Sequence, residues 1–437
     1  MSTLLLSRCL FAFSLSFHII FPAITIGMSL IIFIFEYRYF KTGDEDYLNL
    51  AKFWTKIFAL FFGCGVLSGI TLSFMFGLLF NNFSYIFGEV IGPLLVLEVL
   101  TAFFIESSFL GIMILGWNRI SQKKHLFATG IVFLGTFISA FWILSANSVM
   151  HTPAGFEIKN GIAVPISWLK IIFNPSFVYR FTHMVNASFI TSSCLMLGIS
   201  SYMILSNRNK HQFIKCFKFC ALFLLTCSIV QAFIGDMHGI NTLKHQPAKT
   251  AAMESYWQKY EDGAPTILFA IPDQENGKNR FELSIPKLGS LILTHSLNGQ
   301  VPVLSEFDKS EIPPVAVVFY SFRVMVGVGI LLIVLSSIAY WRSRKNQIEK
   351  SLFFLKILSL CSPLGIIGVI AGWFVTEVGR QPWIIYGVMR VSSGLTPNLD
   401  YSVLVTSAIS IVFIYISILI TAMLTVRYIL INNKKYD

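Results

Sequence analysis

His18, Glu98, Glu106, His183, Arg323, Glu377 and Arg380 stand inside, or at the edge of, long apolar runs of this chain. An ionisable side chain in hydrocarbon costs about 3 kcal/mol or more, so each needs a partner or a task. His18 and His183 offer imidazole, a standard axial ligand of heme iron, although a lone membrane histidine also serves as a hydrogen-bonded packing residue. Met325 reads by type as core packing. A His–Met pair, however, would fill both axial positions of an iron and make a low-spin electron carrier. Glu98 and Glu106 lie eight positions apart on one broad helical face, separated by about 12 Å of axis. That spacing suits a proton relay, or one acid paired with a cation on a neighbouring helix. In GWFVTEVGRQPW, Trp373, Glu377 and Arg380 fall at i, i+4 and i+7, one stripe if the helix runs through them. They form either an interfacial ion pair or a carboxylate on iron with an arginine beside a heme propionate, and spacing does not choose.

The elements that must position these groups are membrane helices. Of 437 residues, 55% are hydrophobic, only 13% are charged, and 42 are phenylalanine. A water-soluble domain cannot hide that much apolar surface. A spanning helix needs about 20 apolar residues. Nine runs qualify, roughly 12–36, 57–80, 93–117, 126–149, 181–205, 219–238, 315–340, 352–375 and 401–426. The net charge of +11 is then a statement about topology, not about nucleic acid. The links at 37–56, 118–125, 206–218 and 341–351, with the tail from Arg427, hold eighteen Lys and Arg. The short segments on the opposite side hold six: Arg8, Lys159, Lys170, Arg180, Arg380 and Arg390. The positive-inside rule places the C-terminus in the cytoplasm, and nine spans then place the N-terminus outside. Residues 239–314 form one long polar connection on the outer face, expected as a partly ordered flap. The first apolar run lacks a small-residue cleavage site and reads as the first helix of the bundle. Seven cysteines with no C-x-x-C pair read as small buried apolar residues.

The segments LSRCLFAFSLSFHIIFPAITIG, GPLLVLEVLTAFFIESSFLG, GDMHG, FYSFRVMVGVG and AGWFVTEVGRQPWIIYGVMR together resemble subunit I of the bacterial cytochrome bd-type quinol oxidases, over nearly the whole chain. The resemblance implies an all-α membrane protein of about nine helices holding three hemes: two heme b and one heme d, or a third heme b. It implies three parts: helices one to six in 1–238, a quinol-binding loop at 239–314 and helices seven to nine in 315–437. His183 and Met325 match the low-spin heme ligands, and His18 and Glu377 match ligands of the two high-spin hemes. Glu98 and Glu106 match acids on the proton route, and Arg323, Trp373 and Arg380 match residues packing on or bonding to heme. In KTAAMESYW, Lys249 and Glu254 match the quinol-binding lysine and glutamate, on a stretch whose Ala251, Ala252 and Met253 favour helix.

The implied partners are an oxidase subunit II, small single-helix subunits, membrane quinol and O2, in the bacterial inner membrane. Two departures stand out: the loop is the short version, and Val391 follows Arg390 where the family often has threonine. Two other functions are weighed: a transporter, for which inverted repeats and broken helices are not found, and a heme-bearing quinol electron carrier without oxygen chemistry.

Overall fold

The computed structural model describes residues 2–432. Nine of its helices are long and apolar enough to cross a membrane, and they coincide with the nine runs. In chain order they are α1 (Thr3–Thr42), α2 (Glu45–Leu79), α3 (Asn81–Leu115), α4 (Gln122–His151), α5 (Phe177–Leu205) and α6 (Lys210–His245). After the short α7 (Pro247–Glu254) and α8 (Leu288–Thr294) come α9 (Val315–Arg344), α10 (Leu352–Val378) and α11 (Tyr401–Ile431).

Three spans, α1, α2 and α11, start at polar caps. Ser2 accepts the Leu5 N–H at the start of α1, and Gly43, at φ +69°, closes its end. Asp44 and Asp400 cap α2 and α11 in the same way. Two spans are interrupted. In α10 the helix breaks around Pro363 between Leu360 and Leu364, where proline has no N–H to give the ladder. In α3, Thr101–Ser107 form a π-helical segment.

Burial is uneven. In α5 and α1, 72% and 67% of the most apolar window is enclosed by protein, against 17% in α9 and α11. The first two are therefore the pillars of the bundle, and the last two present most of their surface to lipid or to a partner. Between the pillars, a Cβ on Gly27 would stand 2.5 Å from Ser192 Oγ, so only glycine lets α1 and α5 meet this closely. The buried face of α5 is lined with Ser188, Ser192, Ser193, Ser200 and Ser201. Their hydroxyls donate to carbonyls one turn back, which keeps them satisfied without water. Around the pillars, α5 packs on α6, α6 on α9, α9 on α10 and α10 back on α5, closing a ring of four helices.

The long connection is ordered throughout. Helix α6 carries on to His245, beyond the start expected for the loop, and α7 follows at once. An antiparallel hairpin of Thr266–Asp273 with Lys278–Ile285, then α8, complete the lid over one end of the bundle. The opposite end carries the basic links. There Glu36 on α1 is fully buried, with Thr129 Oγ1 donating to one oxygen and His125 Nδ1 2.6 Å from the other.

Candidate functional site

His183 projects from α5 within the four-helix ring, and Met325 from α9 at the opposite corner. The His183 Nδ1 is buried and has no hydrogen-bond partner among the described residues. A Cβ on Gly235 would stand 3.7 Å from its Cε1, and the ring of His238 lies edge-on at 5.1 Å. Asn186 Nδ2 donates to Gln231 Oε1, and Gln231 Nε2 donates to the His183 carbonyl, bracing α5 against α6 at this level. Across the ring, a Cβ on Gly372 would stand 3.1 Å from Met325 Sδ. Glycine on α10 thus leaves the sulfur room that alanine would take.

On α1, His18 Nδ1 lies 3.0 Å from Ser68 Oγ, whose hydroxyl donates to the carbonyls of Cys64 and Gly65. A hydroxyl already donating can only accept from imidazole, so Nδ1 carries the proton and Nε2 is left with a lone pair. The ring lies against Gly69, whose Cβ would be 3.1 Å away.

Glu98 and Glu106 both face α4. Ser139 Oγ donates to Glu98 Oε1 at 3.1 Å, and one turn back Gly135 makes room for Glu106, whose Cγ would be 2.7 Å from an added Cβ. In an unbroken α-helix, eight positions leave an offset of about 80°. The π-helical segment, which starts after Glu98 and includes Glu106, absorbs one residue, so the pair is spaced as seven positions would be, within about 20° of two full turns. Glu106 is buried, and its Oε1 has no partner among the described residues. No cation pairs with either acid among the described residues.

Glu377 lies in the last turn of α10, two residues before GRQPW. The helix ends at Val378, ahead of Pro382, so proline is not what stops it. Arg380 lies past the end but folds back to bond Glu377 Oε2. The other carboxylate oxygen accepts from Asn147 Nδ2 at 2.9 Å and lies 3.2 Å from His151 Nε2. Trp373 packs beside Ile19, Ala23 and Val369, and Arg390 stacks over Trp383 at 5.1 Å.

Lys249 and Glu254 occupy α7, as expected from the helix-forming composition of that stretch. They do not pair with each other. Five positions place them roughly 140° apart on the helix, so they meet different neighbours. Glu254 bonds Arg323 Nη2 at 2.6 Å, and the same guanidinium donates from Nε to the Ile267 carbonyl and covers the Phe319 ring at 4.6 Å. Arg323, which the resemblance places beside a heme, also bonds the loop. Lys249 points the other way: its Nζ donates to Gln246 Oε1 at 2.6 Å and to the Thr376 carbonyl at 3.0 Å, next to Glu377. Burial, then repulsion from Arg180 and Arg380, holds its ammonium well below the usual lysine range against the pull of Glu377. Burial likewise lowers Arg380, opposed by Glu377.

Four members of this constellation escaped sequence reasoning. His151 lies just past the fourth apolar run, Asn147 and Gln246 carry no charge, and Arg180 counted only toward topology. Arg180 is nevertheless buried, with Nε donating to Ser176 Oγ at 3.2 Å. The signal to look for was a histidine and an arginine at two neighbouring span ends.

A model of the family described as cytochrome bd terminal oxidase subunit I matches residues 6–434. The chain belongs to this family. It is 34% identical to "Cytochrome bd ubiquinol oxidase subunit 1" of Bacillus subtilis, over 95% of this chain and 91% of that one. It is 32% identical to "Cytochrome bd-II ubiquinol oxidase subunit 1" of Escherichia coli, over 89% and 88%. The solved bd oxidase from Geobacillus thermodenitrificans matches with a TM-score of 0.89 at 30% identity, covering 98% of both chains. The alignment to the Escherichia coli relative spans 455 positions, more than the 437 residues here, so that relative carries segments this family member lacks.

The residues present fit the hemes the family implies. Three cationic side chains, Arg180, Lys249 and Arg380, are buried around one carboxylate, Glu377, and two nitrogens of Arg380 have no acceptor among the described residues. Such an excess of buried positive charge calls for anionic groups such as propionates. The unpartnered His183 nitrogen and the sulfur of Met325 are donors of the type that low-spin heme takes.

Proposed function

We propose that the chain is the quinol-oxidising, oxygen-reducing subunit of a bacterial terminal oxidase. The observation that carries this reading is the buried cluster of Arg180, Lys249 and Arg380 around Glu377, joined by α7 to the lid. His183 and Met325 hold the low-spin heme b, and His18 and Glu377 each serve one of two high-spin hemes, a second b and a d or third b. When bound, these groups supply one-electron transfer from quinol and the reduction of O2 to water. Trp373 walls one of the pockets, and Arg323 and Arg380 supply positive charge beside them.

Quinol binds under the lid at 239–314. Glu254 takes a hydroxyl proton near the surface, and Arg323 holds that carboxylate in place. Lys249 fixes the far side of α7 through Gln246 and the Thr376 carbonyl, linking the quinol region to the Glu377 cluster. Protons for water rise from the basic, cytoplasmic end to Glu106 and Glu98, which the π-helical segment aligns along α4. Electrons and protons then reach the oxygen site from opposite faces, which separates charge without pumping. The N-terminus lies outside and the C-terminus in the cytoplasm. The exposed face of α11 leaves room for a subunit II and single-helix subunits in the inner membrane.

Absorption spectra of the reduced, purified oxidase with heme extraction test the reading. Three hemes per chain, including high-spin species, are expected, and a red-shifted chlorin band assigns heme d. Absence of heme overturns the proposal in favour of a transporter, and low-spin b bands alone reduce it to an electron carrier.

A further inference from the structure

The lid displays apolar side chains that no described residue covers. On the hairpin, Phe281 is 81% exposed, and Leu283, Phe269 and Leu268 are each about half exposed or more. On α8, Leu291 and Ile292 add to the same chemistry. A loop facing only water would gain nothing from this many bare apolar groups.

The hydrogen bonds that hang the hairpin on α9 give its depth. At the tip, Gln274 Nε2 donates to the Pro313 carbonyl, and the Val315 N–H donates to Gln274 Oε1, at the first residue of the helix. Farther along the first strand, Tyr320 Oη donates to the Ala270 carbonyl. Nearest the base, Arg323 Nε donates to the Ile267 carbonyl. Tyr320 and Arg323 lie five and eight residues beyond Val315, about 8 and 12 Å along the axis. The hairpin therefore descends beside α9, tip at the helix end and base deepest.

That depth reaches the bilayer. At the other end of α9, Trp341 lies just ahead of Arg342 and Arg344. Counting about 20 residues back from Trp341 puts the edge of the hydrocarbon near Ser321. The hairpin base is level with that edge. Helix α8 reports the same depth independently: His295, which ends it, lies 3.6 Å from Asp236 on α6, nine residues or about 13 Å before His245.

Polarity follows depth. The tip is polar, with Asp273, Gln274, Glu275 and Asn276, and Arg280 is paired back to Asp273. Glu282, between two exposed apolar neighbours, is held toward the tip by Asn279 Nδ2. The bare apolar groups begin in the middle of the hairpin, at Phe281 and the Phe269–Leu283 pair, and continue to Leu268 and Ile285 toward its base.

We infer that the lid is an interfacial element: the base of the hairpin and α8 are seated in the headgroup and upper acyl region of the lipid leaflet on the loop side. The occupant of the apolar face is lipid, continuous with the lipid that covers the exposed face of α9. This placement is independent of what the lid binds.

The test uses the whole oxidase in lipid nanodiscs, on a Cys9→Ser background. Phe281→Cys and, as a second position, Leu283→Cys are labelled with an environment-sensitive fluorophore, with Glu275→Cys at the tip as reference. Labels at 281 and 283 are expected to be quenched by nitroxide lipids carrying the spin near the headgroup. Aqueous iodide should quench them at least five-fold less than the label at 275. Iodide quenching equal to that at 275 overturns the inference by showing a solvated loop. Shielding from both quenchers overturns it too, by showing a protein partner over the face.

Discussion

Replacing Arg323 with glutamine isolates the bond on which the lid depends. The guanidinium joins three things: the Glu254 carboxylate at 2.6 Å, the Ile267 carbonyl at 2.6 Å and the Phe319 ring. The pair is mostly enclosed, the side chains of Arg323 and Glu254 being 17% and 10% exposed. Breaking a buried ion pair by removing one partner costs about 3–5 kcal/mol, and the residual exposure argues for the lower end, about 3 kcal/mol. The loss falls on the contact between lid and bundle rather than on the helices. It should raise the population of lid-open states by roughly 100-fold, since 1.36 kcal/mol is a factor of ten. Amide hydrogen exchange of lid peptides at 246–314 in lipid should accelerate by about that factor, while peptides of α1 and α5 stay unchanged. Glu254→Gln should accelerate the same peptides, and the double variant should add little to either. Exchange within three-fold of the parent in Arg323→Gln would show that the lid is held by something other than this bond.

Met325→Leu nearly conserves volume and should keep the fold, yet convert the low-spin heme to five-coordinate and lower its potential; an unchanged spectrum and midpoint potential would remove Met325 as a ligand. Gly372→Ala should weaken the same spectral signature by crowding the sulfur, with no effect on the high-spin bands. Glu106→Gln should cut oxygen consumption by about 100-fold or more while quinol still reduces the low-spin heme quickly. Gly135→Ala should reproduce part of that loss by displacing Glu106, and slow heme reduction in either variant would point instead to the quinol site. Glu254→Ala should impair quinol oxidation and leave every heme spectrum intact. Lys249→Ala, which touches the Thr376 carbonyl beside Glu377, should also disturb the spectrum of the heme served by Glu377.

What could be read from the chain and what could not divide along a physical line. Hydrophobic runs of about 20 residues report membrane helices because the bilayer imposes a length, so all nine spans were legible. Charged residues inside those runs were legible as candidates because hydrocarbon penalises them one at a time. His151 and Arg180 were not, because they sit at span ends, where a charge costs little until folding buries it. The starts of α1 and α2 lie ahead of their apolar runs, where Ser2 and Asp44 cap them. Nor does composition report the π-helical segment, since each of its residues is also acceptable in an α-helix; only the packing of α3 on α4 reveals that Glu98 and Glu106 are brought into line. Lys249 and Glu254 share one short helix, yet a helix turns five positions through roughly 140° beyond a full turn and sends the two charges to opposite sides. That divergence is the useful result for mechanism. One short helix holds the lid's carboxylate with one face and buttresses the Glu377 cluster with the other, so a movement of α7 would be felt at both places at once.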